Sequence, residues 1–223
     1  LIQTGKLVGL SFVVFTVLAL TLGVVAALAK GSVLDRVINL LAFSGISVPV
    51  FFLALMLIYL FAVRLGWLPA SGMFTIGGDG SLADMGKYMV LPVLTLTAAF
   101  AGRFTRFTRA SMVEVLRMDY IRTARAKGAG KSRVVFKHAL RNSLIPYVTA
   151  LGIMAGYLFS GAIVVEQVFA IPGLGRLMLG AIADRNYPLI QTSILLVTCG
   201  FVVINAIIDL LYRVIDKRAG ASA

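Results

Sequence analysis

Residues 119–146 read DYIRTARAKGAGKSRVVFKHALRNSLIP, and what flanks them decides the fold. The stretch is strongly basic and carries local signals for two helices joined by a bend. Asp119 caps a first helix running through Lys127, Gly128 and Gly130 close it, and Ser132 caps a second that continues into the apolar run beyond. At 1.5 Å per residue the first helix is about 12 Å long. Tyr120, Ile121, Ala124 and Ala126 give it small and apolar surface, and Arg122, Arg125 and Lys127 give it charge.

Working outward, five apolar runs reach the roughly 20 residues that a helix needs to cross a bilayer: 7–29, 37–63, 87–106, 142–165 and 186–208, the last with a polar extension to Tyr212. The third is the least clean, with Lys87 at one end and Arg103 and Arg106 at the other, placed to snorkel toward the two interfaces. Continuous runs exclude a β-barrel. Composition agrees: 60% of the 223 residues are hydrophobic, 13% are charged and mean hydropathy is +0.97, which places the chain in the membrane class. The fold expected is an all-α polytopic membrane helix bundle with about five transmembrane helices. The formal charge of +12 would point to nucleic acid in a soluble protein, but here the cations cluster between apolar runs, so no nucleic-acid partner is expected.

That clustering orients the chain. With the segment before Leu7 outside, sixteen Lys and Arg fall on inner loops, eleven of them between Arg103 and Arg141, and five fall outside. The asymmetry puts residues 119–146 in the cytoplasm. Of the outer connections, the Gly-rich 64–87 segment reads as an irregular surface loop with Trp67 as an interfacial anchor. The 166–188 segment has a turn at Pro172, Gly173 and Gly175 followed by LGRLMLGAIA at helical spacing, a short helix at the outer mouth that is either a packing element or a gate or docking surface.

Within the runs, Gly152, Gly156 and Ser160 recur every fourth residue and prepare close helix approach, within the chain or to a partner. Asn205, Asp209 and Arg213 share a spacing that favours an Asp209–Arg213 ion pair, although an intramembrane carboxylate also raises an ion-coupled path. Cys199 stands alone inside an apolar run and permits no intrachain disulfide. Gly130-Lys131-Ser132 imitates the end of a phosphate-binding loop, but Arg125 stands where the first glycine is required and no strand precedes it. His138 lacks a companion at metal-ligand spacing, and no nucleophile is arranged with a base. The chain is expected to be no enzyme and to hold no cofactor or metal. It begins at Leu1 without a signal-peptide pattern and reads as part of something longer.

Residues 119–146 also resemble the cytoplasmic signature loop of type I ABC importer permeases: Glu-Ala-Ala, three residues, Gly, nine residues, Ile-x-Leu-Pro. Arg122-Thr123-Ala124, Gly128 and Leu140 occupy those places, with Arg122, Thr123, His138 and Arg141 departing from the pattern. TARAKG followed by HALRNSLIP, together with GWLPASG, EQVFAIPGLGRL, Asp-Arg-Asn-Tyr-Pro at 184–188 and DLLYRVIDKR, is similar to the dipeptide, oligopeptide and nickel subfamily, in its first-permease form. The resemblance implies a type I permease domain over 1–218, a coupling loop at about 107–143, a short tail at 219–223, and one further spanning helix at the N-terminus in the family. It implies a multi-pass subunit of the bacterial inner membrane, in contact with lipid. Its partners would be a second homologous permease, two ATPase subunits carrying ATP and Mg, and an extracytoplasmic solute-binding protein.

On this resemblance Asp119, Tyr120, Arg122, Thr123, Ala124, Arg125, Ala126, Lys127 and Gly128 would form the coupling helix. Glu166, Pro172, Gly173, Gly175 and Arg176 would form an external gate or binding-protein contact. The cargo would be a peptide or related small solute. A self-contained ion-coupled carrier or channel is the alternative.

Overall fold

The structure, a computed structural model, describes residues 1–75 and 81–215; Lys217, Arg218 and the 219–223 tail lie outside the described residues. The regular structure of the described residues is all helical, with no strand among them. In order they form α1 (Ile2–Leu28), α2 (Val33–Ser47), α3 (Val50–Leu57), α4 (Leu82–Val115), α5 (Asp119–Ala126), α6 (Lys131–Arg133), α7 (Arg141–Val168), α8 (Leu174–Ala183) and α9 (Tyr187–Ile215). Wider π-helical turns extend α3 over Ile58–Arg64 and join α6 to α7 over Val134–Leu140.

Among the described residues four helices are long and apolar enough to cross a membrane: Ile2–Leu28, Leu82–Val115, Lys131–Val168 and Tyr187–Arg213. The expected span at 37–63 is broken instead. Pro49 has no amide hydrogen and pushes Val48 out of the helical region, so α2 ends at Ser47 and α3 starts beyond Pro49, with the two arms bent by 107°. Counting that bent pair as one gives five candidate spans. The third run is longer than the sequence suggested. α4 continues nine residues past Arg106 to Val115, and its basic end is helical rather than loop.

The chain divides into two compact units. Residues 1–15, 46–100 and 156–203 form the first, and 16–45, 101–155 and the described residues from 204 onward form the second. In the first, Phe15 lies tilted on Phe100 with ring centroids 6.1 Å apart, and Gly161 admits the side chains of Leu96 and Phe100. Gly156 faces the Phe201 ring at 3.4 Å and Gly200 faces Phe159 at 3.1 Å. In the second, Gly152 faces Asn205 Oδ1 at 3.1 Å. Both glycines of the α7 repeat therefore pack on α9 of the same chain, while Ser160 is exposed.

The second unit is built on an apolar cluster of Val24, Ala27, Met112, Val115, Ile121 and Val134 with their neighbours. Two further contacts fasten it. Gly23 of α1 lies against α4 so closely that a Cβ there would collide with Thr108 and stand 2.9 Å from the Thr105 carbonyl. At the start of α2, Asp35 is 4% exposed and receives Arg109 Nε and Nη2 at 2.6 and 2.7 Å, the Gly31 amide at 2.9 Å and Asn39 Nδ2 at 2.7 Å. The expected Asp209–Arg213 pair is absent; among the described residues the ion pairs are Arg109–Asp35 and Arg122–Asp119. Both Asp209 and Arg213 are exposed, where ordering a long side chain costs about what a surface pair returns.

Gly23→Val should destabilise the protein by about 1–3 kcal/mol through overpacking, read as an earlier thermal transition in detergent. Gly9→Val, on the same helix with open space around it, should leave the transition in place. Equal behaviour of the two variants would remove the α1–α4 contact as a constraint. Asp35→Asn should cost about 2–3 kcal/mol by leaving Arg109 half-buried without its carboxylate.

Candidate functional site

The basic stretch folds as two helices with a bend, and its boundaries differ from the sequence reading by one cap at each helix. Met118, in extended geometry, is the residue before α5, and Asp119 is its first helical residue rather than its cap. The carboxylate still lies in the first turn, where it complements the positive end of the helix. Gly130, also extended, precedes α6, which places Ser132 one residue inside it.

The end of α5 is a complete Schellman motif. Lys127 terminates the helix, Gly128 turns back at φ +81°, the Gly128 amide donates to the Arg125 carbonyl at 2.9 Å, and the Ala129 amide donates to the Ala124 carbonyl at 3.0 Å. Left-handed backbone is natural for glycine and strained for a β-branched residue.

Ile121 holds α5 down. It is 0% exposed, set among Val24 and Ala27 of α1, Met112 and Val115 of α4, and Val134, Val135 and Ala139 of the wide turns. Tyr120 adds a tie: its hydroxyl accepts from Asn142 Nδ2 at 2.7 Å and donates to the His138 carbonyl at 3.5 Å. With Ile121 inward, helical rotation of about 100° per residue puts Asp119, Thr123 and Ala126 at the centre of the outward face. Arg122 and Lys127 flank that centre, and all five are exposed. Arg122 reaches Asp119 at 3.5 Å, a solvated pair of little energetic weight. Ala124 is half-buried, and Arg125 borders a hollow of about 450 Å³ floored by Ala27, Leu116 and Val135. The nine residues expected to couple thus share one short helix and its cap, but they do not share one face.

At the other sequence-predicted site, in the first unit, Glu166 near the end of α7 is 0% exposed. Its Oε1 accepts from Thr4 Oγ1 at 2.5 Å, and its Oε2 accepts the amides of Gly175 at 2.7 Å and Arg176 at 3.2 Å. Thr4 Oγ1 in turn accepts the Leu174 amide at 2.8 Å. The carboxylate therefore satisfies first-turn amides of α8 that have no partner within the helix, at its positive end. Glycine is required beside it. A Cβ on Gly173 would collide with the carboxyl group, and one on Gly175 would stand 2.6 Å from Ile163 Cα. Pro172 and Arg176 remain exposed, with Arg176 Nη1 donating to the Ala170 carbonyl at 3.0 Å.

Sequence reasoning missed Thr4, Asp35 and Arg109. Asp35 had a local signal in the Gly31-Ser32 turn before it and Asn39 one turn on. Nothing local connects it to Arg109, 74 residues away.

The model of the family described as binding-protein-dependent transport system inner membrane component matches residues 19–220. The glutathione transport system permease protein GsiC of Pectobacterium atrosepticum is 46% identical over 200 residues, covering 90% of this chain and 62% of the relative. GsiC of Escherichia coli strain K12 is 46% identical over 206 residues, covering 92% and 64%. The chain thus spans a little under two thirds of the length of these relatives. Among solved structures, a chain of the MetNI methionine ABC transporter in an inward-facing conformation superposes with a TM-score of 0.75 at 19% identity, covering 96% of this chain and 93% of that one. That likeness shows a shared fold. With most of its length matched by the family model and by relatives at 46% identity, the chain belongs to the binding-protein-dependent transport system inner membrane component family.

Proposed function

We propose that this chain is the transmembrane permease subunit of an ATP-driven importer for peptides or related small solutes, glutathione among them. One observation carries the coupling part of the reading. α5 is a short, capped helix whose inner side is fixed by Ile121 into α1, α4 and the start of the α6–α7 helix, while its other side is free. A helix held in this way passes a displacement of its outer face to the helices that seat it.

In the proposed assembly two ATPase subunits dock on the cytoplasmic side, one of them receiving Asp119, Thr123 and Ala126 with Arg122 and Lys127 around them. Tyr120, Ala124, Arg125 and Gly128 act from behind this face, setting its position. ATP and Mg belong to those subunits. A second homologous permease completes the path, and an extracytoplasmic solute-binding protein delivers the cargo. Pro172 and Arg176 supply surface for that delivery, and Glu166, Gly173 and Gly175 hold α8 in place beneath them. Closure of the ATPases then shifts the population between outward and inward access.

In the full-length protein assembled with its partners in proteoliposomes, Gly128→Val should abolish solute-stimulated ATP hydrolysis. The left-handed conformation costs a β-branched residue about 1–3 kcal/mol and the bend is lost. Gly130→Ala, at φ −61° with open space around it, should behave as the parent. Full stimulation in the Gly128 variant would overturn the lever. Ala126→Glu should reduce co-purification of the ATPase more than Ala124→Glu does, since Ala126 lies on the outward face. Solute flux in vesicles without any ATPase subunit would replace the importer by a self-contained carrier. Glu166→Ala should speed amide hydrogen exchange across 174–183 by at least about tenfold, through loss of a charged cap worth about 1.5–3 kcal/mol, with α5 unchanged.

A further inference from the structure

On the inner half of α4 the exposed positions are Arg103, Arg106, Phe107, Ala110 and, one turn further on, Glu114, an i, i+3, i+4, i+7, i+11 stripe whose deeper part carries only positive charge, while Phe104, Thr105 and Thr108 are buried. The depth of the stripe follows from α1. Gly23 packs directly on Thr105 and Thr108, and Val24 and Ala27 share a cluster with Met112 and Val115, so the two helices run in the same direction at matched levels. The apolar run of α1 continues six residues beyond Gly23, about 9 Å, with Val25 and Leu28 exposed as lipid-suited side chains. Arg106 is therefore about 9 Å inside the apolar layer of α1, and Arg103 about 4.5 Å deeper again.

Neither arginine has a hydrogen-bond or ion-pair partner among the described residues, whereas Arg109, one turn on, is held by Asp35. An arginine in hydrocarbon costs about 2.5–3.5 kcal/mol at mid-depth, so the stripe does not face lipid tails. Snorkelling to the cytoplasmic headgroups is opposed by geometry. Helical Cα–Cβ bonds tilt toward the N-terminus, which for α4 is the outer side, so these side chains set out away from the inner interface.

We infer that Arg103 and Arg106 line the translocation path and bind the carboxylate of the solute in transit, an inference that rests on the importer reading. The guanidinium fork matches a carboxylate through paired hydrogen bonds. Arg103, Phe104, Phe107, Ala150, Ile153 and Met154 line a hollow of about 150 Å³ whose surface is almost wholly apolar. It takes a short carbon chain next to a charged end, the makeup of a small peptide.

The test uses the full-length protein assembled with its partners in proteoliposomes, with the exposed Cys199 replaced by Ser. Arg106→Cys and, separately, Ala110→Cys with both arginines intact are treated with two membrane-impermeant methanethiosulfonates, one anionic and one cationic, with rates normalised to a free thiol. Both reagents should react, and the anionic one should be favoured at least about tenfold. Adding Arg103→Gln to the Arg106→Cys variant, or Arg103→Gln together with Arg106→Gln to the Ala110→Cys variant, should sharply reduce that preference. Protection from both reagents would place the stripe against lipid or a partner subunit, and equal rates would remove anion recognition; either result overturns the inference. The labelling reads the stripe alone, while the importer reading stands or falls on the ATP hydrolysis of the Gly128 variants.

Discussion

Burial of one side chain, Ile121, makes the basic segment after α4 a seated helix rather than a loop. An eight-residue helix is too short to be stable in water by itself, because nucleation is unfavourable and few backbone bonds follow it. Here full burial of an isoleucine contributes about 1.5–3 kcal/mol, and the Schellman closure at Gly128 satisfies carbonyls that would otherwise fray. The seat is assembled from the segments on either side of α5 and from α1, which is remote from both in sequence. The helix is therefore packed on the ends of the spanning helices, and its outer face stays exposed because the seat takes only one apolar side chain from it.

At α8 the same problem of fixing a short helix has a polar solution. Leu174 is buried at its start, but the amides of the first turn are fixed by a carboxylate that has left water. Burying Glu166 is costly unless its oxygens find donors. The first turn of α8 supplies two amides and Thr4 supplies a hydroxyl, so the unsatisfied groups of a helix end and of a buried acid are resolved together. This arrangement tolerates little variation in shape. Glycine at 173 and 175 is a steric condition of the carboxyl position, a role that the sequence reading, which had them as turn formers and gate candidates, did not contain.

The readable parts of the fold were those whose causes are local. The apolar runs, the Leu174–Ala183 helix and the left-handed turn at Gly128 each follow from residues within a few positions of one another. The break at Pro49 was also locally encoded, but a run of 27 uncharged, mostly apolar residues outweighed one proline when length alone was weighed against hydrocarbon thickness. The caps at Asp119 and Ser132 were displaced by one or two residues because extended geometry at Met118 and Gly130 supplied the entry without any side-chain bond. What could not be read was non-local: Thr4 and Glu166 are 162 residues apart, and Asp35 and Arg109 are 74 apart. Periodicity placed Ile121 on a helix, but only the tertiary contact decided that it points inward while Ala126 points out.

The fate of the α4 cations shows how a membrane helix can carry charge at all. Each arginine must have a carboxylate, headgroups or water within reach, since the hydrocarbon offers none of these. Arg109 meets Asp35, which in turn fixes the first turn of α2 through Asn39 and the Gly31 amide, so that charge is converted into structure. Arg103 and Arg106 share the helix with Arg109 but sit on its exposed stripe, and no carboxylate among the described residues pairs with them. A helix that needed positive charge only for topology could carry it beyond Val115, as it does at Arg117, without the cost of placing it deeper. Arginines retained at the level of apolar α1 are therefore better explained by what passes them than by what packs on them.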